Sequence, residues 1–276
     1  MDFYFQRQYR GPLKAILLDW AGTTLDYGCY APAVVFRQVF EKQDVPISMA
    51  EARGPMGAHK KVHIRKISQT ESVRQRWQEA RGRFPDETDV ETMFAEFVPL
   101  QLACLADFAD LIPGTLEAVA DFRKQGLKIG STTGYTGEMM NLLQGEAKKR
   151  GYAPDATVCA TDVPEGRPAP WMCVKNAMEL RVYPFEACVK VDDTIPGIEE
   201  GLNCGMWTIG LAKTGNEIGL NETEIEALDD ETLDTRLRAA YLKMHQAGAH
   251  YVVDGIGDIS KVLTDIQNRL ATGERP

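Results

Sequence analysis

The sequence predicts an α/β fold, a Rossmann-like open parallel sheet with an inserted all-helical cap domain. Two observations predict it. Six short apolar runs, "AILLDW", "LKIGSTTG", "ATVCAT", "CVKVDDT", "MWTIGL" and "HYVVDG", alternate with amphipathic stretches. That alternation breaks once, after the first run, where about 85 residues carry helical patterns and no convincing strand.

The six runs are apolar on both sides of the period-2 alternation, as strands covered on both faces of a parallel sheet are. The stretches "GTLEAVADFRKQG" and "TGEMMNLLQGEAKKRG" each end in Gly after basic residues, a helix stop. The insert reads as successive helices over "APAVVFRQVFEKQ", "SMAEARGPMG", "HKKVHIRKI", "SVRQRWQEARGRF" and "DVETMFAEFVPLQLACLADF". The expected division is a core of residues 1–25 and 112–276 and a cap of residues 26–111. Such a cap would cover the C-terminal edge of the sheet, where open α/β folds bind ligands. The charged, helical stretch 221–248 is assigned to the core surface.

The 276 residues suffice for a sizeable core. A net charge of −9 argues against a broad nucleic-acid interface, which needs a basic footprint. Six scattered cysteines form no CxxC pair and no cluster with the four histidines, so they read as reduced thiols in the cytoplasm. "MDFYFQRQYRG" lacks the pattern of a signal peptide, and no stretch approaches the length of a membrane span.

The strand ends carry the chemistry. The first run ends in Asp19, the second in Ser131, Thr132, Thr133 and Gly134. "VPEGRPAPW" puts Arg167 in a loop before a helix, and "KVDDT" puts Asp192 and Asp193 at another strand end. Together they make a phosphoryl-transfer site. Asp19 would attack phosphorus. Thr133 and backbone N–H groups about Gly134 would hold phosphate oxygens, and Arg167 would neutralise their charge. Asp19 and Asp193 could share a Mg²⁺, a hard cation that prefers oxygen ligands. Singly, each of these residues reads as a turn, a helix cap or a surface charge; their joint order carries the expectation.

That order resembles the haloacid dehalogenase superfamily, whose phosphotransferases use an aspartate nucleophile, a Thr/Ser, a Lys/Arg and an acidic metal motif. The resemblance implies a second Asp two residues after the first, to protonate an oxygen leaving group. Here that position is Ala21. The insert offers a substitute in "GPMGAHKKVHIRK". On a continuous helix Met56, Lys60 and His63 fall at i, i+4 and i+7, on one face, and Lys61 points about 100° away. A lysine can form an imine with a carbonyl substrate, and an imine accepts the electrons of a breaking bond to carbon. His63 would move protons. The default for a basic helix is that both residues decorate a solvated face; the missing acid at Ala21 favours chemistry over that default.

The segments "DWAGTTLDYGCYAP", "PMGAHKKVHIRK", "KIGSTTGYTGEMM", "DVPEGRPAPWMCVKNAMEL" and "GMWTIGL" are similar to the phosphonatase family within that superfamily. This resemblance implies cleavage of a carbon–phosphorus bond in phosphonoacetaldehyde with Mg²⁺ and a lysine imine. It also implies a homodimer associated through the cap. It carries the nucleophile to Asp19, the imine lysine to Lys60, the phosphate ligands to Thr133 and Arg167, and the metal ligands to Asp193 and the backbone carbonyl of Ala21. Met56, His63, Cys29 and Tyr135 match residues lining the family's site. One departure stands out: the acidic motif of many members reads GDTxxD, and here it reads "DDTIPG", with Asp192 at the Gly position and Gly197 at the second Asp. Three rival readings stay open: an ordinary phosphate-ester hydrolase, a lysine-dependent aldolase, and a non-catalytic phosphate-binding protein on the same fold.

Overall fold

Six parallel strands in the order β3-β2-β1-β4-β5-β6 form the sheet of the computed structural model, which describes residues 8–276. They are β1 (Ala15–Leu18), β2 (Lys128–Thr133), β3 (Ala156–Cys159), β4 (Cys188–Asp192), β5 (Trp207–Leu211) and β6 (Tyr251–Val253). All six apolar runs of the sequence are therefore strands. β1, β4 and β5 are buried at every position, which is why they carry no polar alternation. Residues 1–7, part of the stretch assigned to the core and of the segment read as lacking a leader, lie outside the described residues.

The insert after β1 carries five α-helices: α1 (Tyr30–Glu41), α2 (Met49–Arg53), α3 (Lys60–Ser68), α4 (Glu71–Arg81) and α5 (Glu87–Cys104). The chain leaves and rejoins the sheet at Leu25 and Leu111, which an isolated antiparallel bridge pairs. These helices bury their apolar faces on one another. Phe36 stacks on Phe97 at 4.6 Å between ring centroids, and Phe40 meets the edge of Trp77 at 6.3 Å. Asp86 caps α5 by accepting hydrogen bonds from the N–H groups of Thr88 and Asp89.

After the insert, α6 (Thr115–Lys124) and α7 (Gly137–Lys149) flank β2, and α8 (Trp171–Glu179) and α9 (Ile195–Asn203) flank β4 in sequence. The predicted stops hold: Gly126 and Gly151 adopt positive φ just beyond α6 and α7. The 221–248 segment forms α10 (Glu222–Glu226) and α11 (Asp230–Gln246), the latter packed on β6 with Ala240 and Met244 buried. α12 (Ile259–Thr272) closes the chain. The two faces of β1 divide the core. Ile16 and Leu18 pack with Phe122 of α6 and Leu263 and Ile266 of α12, while Ala15 and Leu17 pack with Cys173 and Ala177 of α8. No helix among the described residues is long and apolar enough to cross a membrane.

Strand order reverses between β1 and β4, since β2 and β3 extend to one side and β5 and β6 to the other. Ligands of open α/β sheets bind beyond the carboxyl ends of the strands at such a switch point. Leu18 is in register with Ser131 of β2 and Val191 of β4. The next residue of each strand is therefore Asp19, Thr132 and Asp192, side by side at the switch point.

Candidate active site

Asp19 is 5% exposed and belongs to a buried charge network. Arg167 is its centre. One Nη2 donates to Asp19 Oδ1 and, at 3.0 Å each, to the carbonyl and hydroxyl oxygens of Thr132. Arg167 Nε donates to Glu200 Oε2 of α9 at 3.0 Å, and Nη2 lies 3.1 Å from Asp192 Oδ2. Lys190, in the middle of β4, donates to Asp192 Oδ2 at 2.7 Å and lies 3.7 Å from Glu200. Burial works against all these charges. It is outweighed at Arg167 by Asp19, Asp192 and Glu200, which hold its guanidinium well above the usual range. At Asp192 it is outweighed by Arg167 and Lys190, which hold the carboxyl below its usual value.

Two carboxylates shift the other way. Burial raises Asp19 to about 6 against the pull of Arg167. Burial and the charges of Asp19 and Asp192 push Asp193 well above the carboxylate range. Asp193 Oδ1 accepts a hydrogen bond from the Thr23 hydroxyl at 3.2 Å and Oδ2 one from the Asn216 N–H at 2.8 Å. Its carboxyl sits so close to the backbone that a Cβ on Gly22 would lie 2.3 Å from Oδ2, and one on Gly215 would lie 2.1 Å from its Cβ. One oxygen from each of Asp19, Asp192 and Asp193 falls within 4.8 Å of the others. An all-oxygen, anionic set with excess negative charge suits a hard divalent cation. The residues fit such an ion: binding would relieve the repulsion that raises Asp19 and Asp193. Ala21 is buried beside them and lines the same cavity.

The insert supplies the opposite wall. Asp19, Ala21, Cys29, Met56, Gly57, Lys60, Thr133, Gly134, Tyr135, Arg167 and Thr194 line a space of about 20 Å³, room for about one water. Nine of the residues expected at the site thus line one cavity, Asp19 and Lys60 among them; Asp193 joins it through Asp19 in the carboxylate cluster, and His63 does not line it. Lys60 is the first residue of α3, 4% exposed, and forms no ion pair among the described residues. Its Nζ stands over the Tyr135 ring at 4.5 Å and 5.9 Å from the Phe36 ring. Burial lowers its pKa; Cys29 and Asp19 oppose that shift and Arg167 adds to it. A helix N-terminus, with its partial positive charge, also disfavours an ammonium. Lys61, one residue on, faces outward, ion-paired with Glu91 and, at 3.9 Å, with Glu87.

Met56 requires a correction. It does not share a helix with Lys60, because Gly57 takes φ +90° and α3 begins only at Lys60. Met56 reaches the cavity from the preceding turn instead. Gly57 is there for contact as well as conformation: a Cβ would lie 2.2 Å from Thr194 Oγ1. Gly134 is its counterpart on the core, where a Cβ would lie 2.8 Å from the Ala58 carbonyl oxygen. Two glycines thus let the insert rest directly on the strand ends. His63 lies behind the cavity, with Nε2 2.8 Å from the Ala52 carbonyl oxygen and its ring 3.8 Å from that of Phe36. Burial, with Lys60 adding to it, holds its pKa well below the usual value, so it is a neutral ring that packs beneath Lys60.

Sequence reasoning passed over Lys190, Glu200 and Asp26. Lys190 carried a signal, a lone cation in an otherwise apolar run, "CVKV". Glu200 carried none that separated it from Glu199. Asp26 is buried, caps α1 by accepting from the N–H groups of Tyr30 and Ala31, and is raised by burial to about 7.

A family model described as haloacid dehalogenase-like hydrolase matches residues 13–205. A phosphonoacetaldehyde hydrolase of Syntrophobacter fumaroxidans is 48% identical over 274 residues, 99% of either chain. A phosphonoacetaldehyde hydrolase-like protein of the same organism is 50% identical over 269 residues, 97% of either chain. The crystal structure of a phosphonoacetaldehyde hydrolase-like protein from Oleispira antarctica superposes with a TM-score of 0.97 at 41% identity, covering all of both chains. The chain belongs to the haloacid dehalogenase-like hydrolases and, within them, to the phosphonoacetaldehyde hydrolase family.

Proposed function

We propose that this enzyme hydrolyses phosphonoacetaldehyde to acetaldehyde and phosphate through an imine on Lys60 and a phosphoryl group on Asp19. The observation that carries the reading is one small cavity shared by a lysine that is buried and, among the described residues, without an ion pair, an aspartate at a strand end, and an arginine. Burial lowers the pKa of Lys60, which gives it a larger share of free amine than an exposed lysine. That amine adds to the aldehyde carbon and, with loss of water, gives the imine; once protonated, the imine is an electron sink. Arg167, Thr133 and the backbone about Gly134 hold the phosphonyl oxygens. Asp19 attacks phosphorus in line, the C–P bond breaks, and its electron pair becomes the double bond of an enamine on Lys60. Water then cleaves the aspartyl phosphate. Protonation of the enamine at carbon and hydrolysis of the imine release acetaldehyde and free Lys60. Ala21 can be small because the leaving group is carbon, whose electrons go to the imine rather than to a proton from that position.

The cation is Mg²⁺ in this reading, held by Asp19, Asp193 and the Ala21 carbonyl, and when bound it supplies charge neutralisation between the nucleophile and the phosphonyl oxygens. Residues 26–111 act as a cap on a core of 1–25 and 112–276. The enzyme works as a cytoplasmic homodimer joined through the cap. The six cysteines, all free thiols, are consistent with a reducing compartment. Met56, Cys29 and Tyr135 shape the aldehyde side of the cavity, and His63 supports Lys60 from behind.

Phosphonoacetaldehyde supplied with Mg²⁺ is expected to yield acetaldehyde and phosphate in equal amounts. Phosphate from simple phosphomonoesters but not from phosphonoacetaldehyde would favour the ordinary phosphatase instead. EDTA is expected to silence the enzyme and added Mg²⁺ to restore it; full turnover in metal-free protein would remove the cation from the account. Gly57→Ala is expected to cut kcat/KM on the order of 100-fold, because a displacement near 1 Å at a reacting centre has that effect. The same variant should still unfold cooperatively, with a cost of roughly 1–2 kcal/mol for the left-handed backbone. Unchanged kcat/KM would show that the Gly57–Thr194 contact does not position Lys60.

A further inference from the structure

We infer that Asp192 and Gly197 are an exchanged pair: Asp192 delivers from the end of β4 the carboxylate that the family's motif delivers from the position of Gly197, and Gly197 is glycine to house it. Asp192 Oδ1 accepts hydrogen bonds from the Thr194 N–H at 3.0 Å and the Thr194 hydroxyl at 2.7 Å. Oδ2 accepts from Lys190 at 2.7 Å and faces Arg167 at 3.1 Å. The carboxyl is thus fixed from every side. Gly197 lies in the first turn of α9, and a Cβ there would fall 2.0 Å from Asp192 Cγ and 2.0 Å from Oδ2. Its φ is not positive, so backbone freedom does not explain the glycine. Glycine inside a helix costs about 1 kcal/mol relative to alanine. What glycine supplies is space, and the Asp192 carboxyl fills it. A side chain rooted at 197 would begin in the volume where that carboxyl now ends.

One carboxylate in that volume does two things. It anchors Lys190 and Arg167, so that Arg167 is presented toward Asp19 and the phosphonyl oxygens. It also adds negative charge behind Asp19 and Asp193, within 4.8 Å of both, which strengthens the pull on a divalent cation. Asp192 Oδ1 is held by Thr194 and Oδ2 by Lys190 and Arg167, so in this reading it acts as a positioning residue that adds charge beside the ligands Asp19 and Asp193. The departure "DDTIPG" therefore conserves the site's charge while moving its point of attachment.

The inference rests on the Mg²⁺ reading above, so wild-type Mg²⁺ binding, measured by calorimetry without substrate, is the first arm. The others are Asp192→Asn, Gly197→Ala, Asp192→Gly and the reciprocal double variant Asp192→Gly/Gly197→Asp, each checked for cooperative thermal unfolding. Loss of an outer partner of a metal site weakens binding about 10–100-fold, and Asp192 is such a partner through its charge beside Asp19 and Asp193. Asp192→Asn, Gly197→Ala and Asp192→Gly should each weaken Mg²⁺ by at least ~10-fold, and the double variant should return to within about threefold of wild type. The kcat/KM values should follow the same order. Wild-type Mg²⁺ affinity in folded Asp192→Asn would overturn the inference, and that arm decides alone if the double variant does not fold. A folded double variant that binds no better than Asp192→Gly would also overturn it. A wild-type protein that binds no Mg²⁺ would overturn the metal reading itself.

Discussion

Lys60→Arg protein is expected to fold, to bind Mg²⁺, and to release phosphate from phosphonoacetaldehyde at least about 1,000-fold more slowly than wild type, because it has lost a group that forms a covalent intermediate. Arginine keeps a positive charge in the cavity over Tyr135 and next to Asp19, so electrostatic steering of the substrate persists. It cannot condense with an aldehyde, so the electrons of the C–P bond have nowhere to go. Lys61→Arg is the control. Lys61 lies on the outside of α3, ion-paired with Glu91 and Glu87, and its replacement should leave turnover near wild type. The measurement is phosphate release under single-turnover conditions. Near-wild-type release by Lys60→Arg would remove the imine from the mechanism and bring the ordinary phosphatase forward.

Asp19→Asn should lose phosphate release to the same degree while leaving the lysine chemistry intact. Asparagine is close in shape, and Arg167 keeps Asp192 and Glu200 as partners, so the buried network stays paired. Removing one of the carboxylates that repel each other at the switch point also removes a source of strain. The fold should therefore survive, with unfolding close to wild type. What disappears is the oxygen that attacks phosphorus. Asp19→Asn should still form the imine with the aldehyde but stall before C–P cleavage, whereas Lys60→Arg should form no imine. The two variants separate the half-reactions. Phosphate release by a well-folded Asp19→Asn protein would mean that another group takes the phosphoryl.

The six strands and the order of the site residues were legible because buried parallel strands read as largely apolar runs and the site's carboxylates and hydroxyls cluster where the strands end. Asp19, Thr133 and Asp193 stood out for that reason. The distinction between Lys60 and Lys61 was legible from helical geometry, since adjacent positions cannot share a face. The extension of that face to Met56 failed at Gly57, whose left-handed backbone and contact with Thr194 come from the core beneath it and leave no trace in apolar periodicity. Depth was also hidden. Spacing put His63 on the side of Lys60, but not behind it against Phe36 and the Ala52 carbonyl. Lys190 and Glu200 come from a strand and a helix that only the fold brings to Arg167, and the volume shared by Asp192 and Gly197 exists only where the start of α9 crosses the end of β4.

Reductive trapping tests the central claim most directly. Borohydride added to enzyme with acetaldehyde at pH 7 transfers hydride to an imine and leaves a stable N-ethyl lysine. An exposed lysine, with a pKa of about 10.4, is almost wholly protonated at that pH and reacts slowly. Lys60, with its pKa lowered by burial, holds a larger share of free amine and sits where the aldehyde binds. The account predicts inactivation together with a single modified peptide that carries the ethyl group on Lys60, in wild type and in Asp19→Asn alike. Modification confined to Lys61 or another lysine, or full activity after treatment with no adduct on Lys60, would contradict it.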